Sequence, residues 1–492
     1  MHSDERGEMA EDISTGKLAR LGLLSDACRA EAADLLQRVR SEGIETVRVL
    51  FADQHGILRG KTIVADAFDS LFSAGLNVPS TLLLKDTSHR TAFPVWSEAD
   101  DGPASLMQGA SDVLLVPRPE TFRVLPWSPH SAWILCTPVM RDGSPVPFAS
   151  QAVLQTAVDR LAGQGMAATL GLEVEFQVFE RTSDARDHGQ SGMPGAPVET
   201  RNLAQGYQYL TETRYGEMES VLDLIRRNAQ GLGLHVRSVE IEMGPSQVEL
   251  TFAPADPVTQ ADAMVMFRTM VKEVCAREGL HASFMAKPRL ENAMANGWHV
   301  HQSLQDIATR RNLFMPQADG SLSAEASGWI AGLLTHAEAS SLMIAPTVNS
   351  YKRYMPFQLA PNRIQWGSDN RGAMLRGLMA PGDPASRIEN RAPDSSANPY
   401  YAFAAQLIAG GAGIAAGLKA PLPTTSPYGE GAQELPKSLG AALAAFEAGS
   451  DLFSGVLGEG FTGYLSHLKR FEWDRYLNTI SEWEQAEYFN LF

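Results

Sequence analysis

The spacing of apolar positions changes period several times along the 492-residue chain, and each change predicts a new element. Helical spacing over residues 14–41 gives way to strict alternation in ETVRVLFAD, so a helix leads into a small sheet. The segment 51–138 mixes short strand-like runs (KTIVAD, DVLLVPRP, SAWILCTP) with Gly and Pro punctuation, the pattern of a compact domain. RDGSPVPFAS, at 141–150, reads as its boundary. Beyond it FASQAVLQTAVDRLAGQG predicts an amphipathic helix closed by glycines and ATLGLEVEFQVFE a strand, an alternation that recurs to about residue 305. The tract 182–202 is rich in turn formers and predicts a mobile loop. From about 322 the pattern is mostly helical, with a Pro-rich loop at 421–436. The most apolar stretch, 402–418, contains several glycines and is too short to span a bilayer, so it predicts a buried helix. The expected division is a tail and helix over 1–40, a small domain over 41–140 and a larger one over 146–492.

Composition narrows the class. Hydrophobic residues at 44% and charged residues at 20% are ordinary for folded proteins, and the length favours two or more domains. A net charge of −16 argues against a nucleic-acid or anionic-membrane partner, and leaves acidic side chains free to hold cations. Cys28, Cys136 and Cys275 are too far apart in sequence for a CxxC metal site, and three thiols make no disulfide framework. The N-terminal MHSDERGEMAED is acidic and lacks an apolar h-region. A cytoplasmic protein with a frayed tail is expected.

The candidate chemistry lies in four tracts. In GLEVEF, Glu173 and Glu175 project from one strand face while Leu172, Val174 and Phe176 project from the other. Adjacent carboxylates repel unless a cation sits between them; a solvated acidic face is the alternative. VEIEMGPSQVELTF places Glu240, Glu242 and Glu249 around a Gly-Pro-Ser break, across which Glu242 and Glu249 could converge; the alternative is a plain acidic hairpin. In NGWHVHQSL, His299 and His301 share a face, either as metal ligands or as hydrogen-bonded histidines, with no nearby Cys or third His to suggest zinc. Arg353, Arg363, Arg371, Arg376, Arg387 and Arg391 cluster in one tract, which suits phosphate or carboxylate binding as well as surface ion pairing. GILRGKT, at 56–62, is one residue short of a phosphate-binding P-loop, and GAGIAAG, at 411–417, lacks the strand that precedes a dinucleotide fingerprint and reads as helix packing.

Taken in order, these motifs resemble the glutamine synthetase family over residues 45–492. GLEVEF is similar to its G-x-E-x-E-F strand, EMGPSQVE to E-x-x-P-G-Q-x-E, FMAKP to F-M-P-K-P, and GWHVHQSL to G-M-H-x-H-x-S-L. NSYKR, WGSDNRGAMLR and RIENRAPDSSANPY resemble the blocks that grip glutamate, phosphate and metal. The resemblance implies an α+β fold, with a small N-terminal β-grasp domain and a larger catalytic α/β domain built on an antiparallel strand funnel. It implies a homo-oligomer, a dodecamer of two hexameric rings, with active sites between subunits. The implied reaction joins the γ-carboxylate of glutamate to an amine at the expense of ATP, through γ-glutamyl phosphate. Glu175, Glu242 and Glu249 resemble ligands of one divalent ion, and Glu173, His299 and Glu389 ligands of a second; an oxygen-rich set suits Mg²⁺ or Mn²⁺. By the same resemblance His301, Ser303, Arg371, Arg376 and Arg387 hold ATP phosphates. Glu175, Gly297, His299, Arg353 and Arg391 hold glutamate, and Arg371 and Arg391 assist phosphoryl transfer. Asp53 resembles a catalytic acid that reaches a neighbouring subunit's site, and Tyr209 and Leu359 join it around the amine.

Departures from the family pattern point to the nucleophile. Leu359, in MPFQLAP, stands where ammonia-using members carry a glutamate that attracts ammonium and takes its proton. MANG, at 294–297, replaces the usual N-G-S-G, with Trp298 following. Gln433 stands where some bacterial members have the adenylylated tyrosine, so that control is not expected, and the ending ISEWEQAEYFNLF resembles the γ-glutamyl-amine ligase branch. The expectation is a γ-glutamylamide synthetase for an organic amine, apolar or weakly basic and aromatic, in a catabolic or detoxifying route. Glutamine synthetase itself and a non-catalytic scaffold are the alternatives; the scaffold predicts broken metal ligands, and all six are present.

Overall fold

The computed structural model describes residues 13–96, 105–355, 359–429 and 431–492. The tail expected at the extreme N-terminus, and residues 356–358 of the MPFQLAP segment, lie outside the described residues. The helical pattern of 14–41 forms two helices rather than one, Lys17–Arg20 and Asp26–Ser41. Gly22 adopts φ 68°, and Ser25 accepts the Cys28 N–H through its side chain to start the second helix. That helix buries Leu35, Leu36 and Val39.

The first sheet contains β1 (Thr46–Ala52), β2 (Leu58–Val64), β3 (Leu76–Pro79), β4 (Asp112–Pro117), β5 (Arg123–Leu125) and β6 (Ser128–Val139). Its order is β2-β1-β6-β4-β3, with β5 on β6. Alternation in β1 sends Val47, Val49 and Phe51 into the core. GILRGKT forms the turn and second strand of the β1–β2 hairpin, with β1 also running parallel to β6.

The second sheet has nine strands: β7 (Met166–Arg181), β8 (Thr200–Asn202), β9 (Val236–Ile241), β10 (Gln247–Phe252), β11 (Leu280–Ser283), β12 (Trp298–Asp306), β13 (Trp366–Ser368), β14 (Leu375–Leu378) and β15 (Arg387–Asn390). The path is β13-β14-β15-β12-β7-β10-β9, with β8 and β11 pairing elsewhere along the long β7. Three of these strands interrupt the region read as mostly helical from 322; at three or four residues each they are too short to show a period. The tract 182–202 is irregular apart from a 3₁₀ turn at His188–Gln190 and β8. The fold is α+β.

One face of β7 makes the core. Leu172, Val174 and Phe176 are fully buried, and Phe176 meets Phe267 of the helix Pro257–Arg277 edge to face at 5.7 Å. The helix Pro399–Ala415 is buried along nearly its whole length and packs on the helix Ala324–Thr335 through glycines. A Cβ on Gly413 would lie 2.1 Å from Gly328 O and 2.6 Å from Gly332 Cα, so GAGIAAG is indeed a helix-packing motif. Alanine at 413 gains about 1 kcal/mol in helix propensity but overpacks two backbones. We expect Gly413→Ala to destabilise by about 1–3 kcal/mol, read as a lower midpoint in denaturant; an unchanged or higher midpoint would show that the helices can separate cheaply.

Candidate active site

The opposite face of the same sheet gathers the acids. Register sets Glu249 of β10 against Glu175 of β7 on one side and Glu240 of β9 on the other. It also sets Glu173 against His299 of β12, His301 against Glu389 of β15, and Glu389 against Arg376 of β14. Because alternation is strict, the strand faces that bury Val174 and Val300 must present these side chains together. Glu242 lies just past β9, at the turn where Ser246 takes φ 56°, and its carboxylate accepts the Met243 N–H at 2.8 Å.

All of these groups except His301 and Glu389 line a cavity of about 450 Å³. Three trios bring ligand atoms within 4.8 Å of one another: Glu175, Glu242 and Glu249; Glu173, Glu249 and His299; and Glu173, His301 and Glu389. The first is the trio expected from the sequence. The second expected group, Glu173, His299 and Glu389, is divided between the other two, with His299 Nδ1 3.1 Å from Glu173 and 3.6 Å from Glu389.

Charge balance differs across the cavity. Burial, and then the charge of Glu175, push Glu242 up to about 8 and Glu249 up to about 10. Burial also acts on Glu173, but hydrogen bonds from His299 and from His301, the latter at 2.7 Å, outweigh it and hold the carboxyl well below its usual range. Glu389 is likewise lowered against its burial, by the charges of His299 and Arg391. One half of the cluster therefore has its counter-charge built in, and the other half lacks one. The Glu175, Glu242 and Glu249 oxygens form a hard set, fitted to a divalent cation that prefers oxygen ligands.

Four arginines line the cavity: Arg353, Arg371, Arg376 and Arg391. Arg353 is buried and donates through Nη1 to Ala392 O and Pro393 O at 2.8 and 2.9 Å, while its Nε has no partner. Arg391 donates through Nη1 to Glu389 and also leaves Nε unpaired. Buried unpaired N–H groups beside a cavity are places for a ligand carboxylate or phosphate. Arg376 divides itself between Asp369 and Glu389. Arg387 reaches the cluster only through His301 Nδ1, at 3.1 Å, and Ser303 stands further along β12, opposite Thr169. Neither lines the cavity, and Arg363 is turned to Ala432 O.

Gly297 is fixed by close approach. Its N–H donates to Glu175 Oε2 at 2.6 Å, and a Cβ there would come within 2.9 Å of both Arg353 Nη2 and His299 Nε2. The neighbouring Asn296 is buried and occupied with Gln177, Gln247 and Met285 O. The altered MANG block thus keeps its glycine against Glu175, Arg353 and His299, brings Met294 and Ala295 to the cavity, and uses its asparagine to brace the fold.

Asp53 is not brought to this cavity. Its carboxylate is fully buried in its own hairpin, where it accepts from His55 N at 2.8 Å, Ile57 N at 3.0 Å and Arg59 Nε at 2.5 Å. Within this chain it closes the β1–β2 turn. Tyr209 and Leu359 do line the cavity. Sequence reading overlooked Met243, Met294 and Tyr428 there; Tyr428 stands in the Pro-rich loop, where a lone aromatic among turn formers was the available signal.

An oxygen-rich cation cradle beside unpaired guanidinium N–H groups equips an enzyme for anionic, phosphorylated substrates. Residues 149–488 match the family described as "Glutamine synthetase, catalytic domain". The γ-glutamylanilide synthase of an Acinetobacter species is 35% identical, with 96% of this chain and 98% of that one covered. The γ-glutamylethanolamide synthetase of Streptomyces coelicolor is 32% identical, covering 91% and 93%. A solved structure described as a GmaS/ADP complex superposes with a TM-score of 0.77 at 28% identity, covering 93% of this chain and 99% of the other. The chain belongs to the glutamine synthetase family, and is a carbon–nitrogen ligase.

The charge deficit predicts how cations act. The raised carboxyls Glu242 and Glu249 destabilise the cation-free fold increasingly as pH climbs from their unfolded value near 4.5 towards 8 and beyond. A cation needs them ionised, so stabilisation by Mg²⁺ or Mn²⁺ should grow over the same range. Thermal melts with and without a chelator should diverge more at pH 8 than at pH 6. In Glu249→Gln the cation-free melt should rise and the cation effect should vanish; equal melts at both pH values would remove the cluster as a cation site.

Proposed function

We propose that this chain is a γ-glutamylamide synthetase for an organic amine, with an aromatic or otherwise weakly basic, apolar amine as substrate. The γ-phosphoryl group of ATP passes to the γ-carboxylate of glutamate; the amine then attacks the acyl carbon, phosphate leaves, and the attacking nitrogen loses its proton. The products are a γ-glutamylamide, ADP and phosphate. Arg353, Arg391 and the Gly297 region hold glutamate, with Glu175 and His299 beside it. Arg371, Arg376 and Arg387, together with His301 and Ser303, serve the phosphates, and Arg371 and Arg391 offset charge on the transferring group. Glu175, Glu242 and Glu249 hold one Mg²⁺ or Mn²⁺; Glu173, His299 and Glu389 hold another. Ions so placed would offset the charge that accumulates when phosphate and carboxylate oxygens meet.

The observation that carries the choice of amine is the composition of the cavity wall. Leu359 and Ala360 line the cavity with Met243, Met294, Tyr209 and Tyr428, alongside the acids. Leu359 neither attracts ammonium nor removes its proton. An aromatic amine, whose lone pair is delocalised and whose nitrogen is unprotonated at neutral pH, needs neither service. The relative named for an anilide product supports the same class.

No described helix is long and apolar enough to cross a membrane, which is compatible with a cytoplasmic site of action. The exposed Trp483, Phe489, Leu491 and Phe492 at the C-terminus support a homo-oligomer, of which a double hexameric ring is our reading.

Phosphate release should be measured with ATP, Mg²⁺, glutamate and, in turn, ammonium, ethanolamine, putrescine, isopropylamine and aniline. We expect an organic amine to give the highest kcat/KM and ammonium the lowest; ammonium in first place would make this a glutamine synthetase, and no stimulation by any amine would favour a scaffold. Leu359→Glu should move the ratio of kcat/KM towards ammonium by about tenfold or more, equivalent to about 1.4 kcal/mol.

A further inference from the structure

A second cavity, of about 420 Å³, lies between the β1–β2 hairpin and the helix Pro257–Arg277 and shares no lining residue with the first. Most of its wall is apolar, including Phe284, Leu342, Met343, Pro346 and Leu465. Its charged lining residues all carry positive charge: Arg268, Lys272 and Lys469, with no Asp or Glu among them. In a chain with 57 acidic and 41 basic residues this is an unusual concentration of one sign.

The three cations differ in how far their charge is already matched. Lys469 sits 3.2 Å from Glu472. Arg268 donates to Ser395 O, Ala397 O and Gly56 O at 2.7–3.1 Å and lies in the field of Asp53 and Asp394. Lys272 has no acidic partner among the described residues: its Nζ donates to Ala282 O at 3.2 Å, and burial and then the like charge of Arg268 bear against its charge. An ammonium with donors to spare, at the edge of an apolar chamber, calls for an anionic head on an apolar body. The chamber is within the size range of small-molecule sites. Burial lowers the chamber's histidine, His55, as it lowers Lys272, so the cationic character rests on Arg268, Lys272 and Lys469 together rather than on the imidazole.

We propose that this cavity is a second ligand site, for a small monocarboxylate with an apolar or aromatic body, its carboxylate on Lys272 and its body on Phe284, Leu342 and Met343. It is separate from the glutamate-holding arginines and does not depend on which amine the first cavity takes. Its wall includes Ser396 and Asn398, which follow the segment that carries Arg391.

Calorimetric titration of the full chain with phenylacetate tests this, with the first cavity saturated by glutamate, Mg²⁺ and a non-hydrolysable ATP analogue. Saturable binding of one phenylacetate per chain is expected, weakened tenfold or more for the neutral phenylacetamide. Lys272→Met, which keeps the stem and removes the charge, should lose at least tenfold in affinity at an unchanged melting temperature, and Lys272→Arg should restore most of it. The proposal is overturned if phenylacetate fails to bind, if glutamate and the ATP analogue displace it, or if Lys272→Met binds as tightly as the native chain.

Discussion

Repulsion among carboxylates on one sheet face is the constraint around which the second half of this protein is arranged. Glu173, Glu175, Glu240, Glu249 and Glu389 are drawn together by strand register, and register is set by the apolar residues behind them. Leu172, Val174 and Phe176 bury completely only if their alternating partners crowd into the cavity. The hydrophobic core therefore enforces an electrostatic arrangement that the acids would never adopt by themselves. Two histidines and two arginines relieve the strain around Glu173 and Glu389, and leave it standing around Glu242 and Glu249. That asymmetry gives the cluster its appetite for cations.

Around this row the backbone makes room where side chains would not. Gly297 lets Arg353, His299 and Glu175 converge on one point, and Ser395 Oγ ties Glu175 O to Gly297 O from behind. The apolar part of the cavity is built by different means: loops contribute Leu359, Ala360 and Tyr428, and the β9–β10 turn contributes Met243. Rigid strands thus carry most of the acids and both histidines, while loops and a turn carry the apolar residues assigned above to the amine.

The legibility of the sequence followed the same division. Alternation in GLEVEF and NGWHVHQSL announced both the buried face and the acidic one, because a strand of sufficient length has only two faces to distribute. The helix over 402–418 and its glycines were equally plain. Short strands β13 to β15 escaped notice because three or four residues complete no recognisable period, and their strand character comes from pairing with one another and, through β15, with β12. Asp53 was singled out by resemblance alone; the turn in which its carboxylate accepts from His55 N and Ile57 N has no period that marks it. Met294 and Tyr428 belong to the cavity through long-range packing, which no local pattern encodes.

The hairpin closed by Asp53 has a mechanical side. Arg268 Nη2 holds Gly56 O, while its Nη1 holds Ser395 O and Ala397 O, and Ser395 in turn holds the backbone of Glu175 and Gly297. Asn398 and Ser150 grip the Asp53 carbonyl from the other side. The tip of the N-terminal sheet is consequently joined to the backbone of the acid row through Arg268 and Ser395, like a tuning peg on a short string, so the seating of one half of the molecule and the spacing of a charged cluster in the other hang on one set of hydrogen bonds.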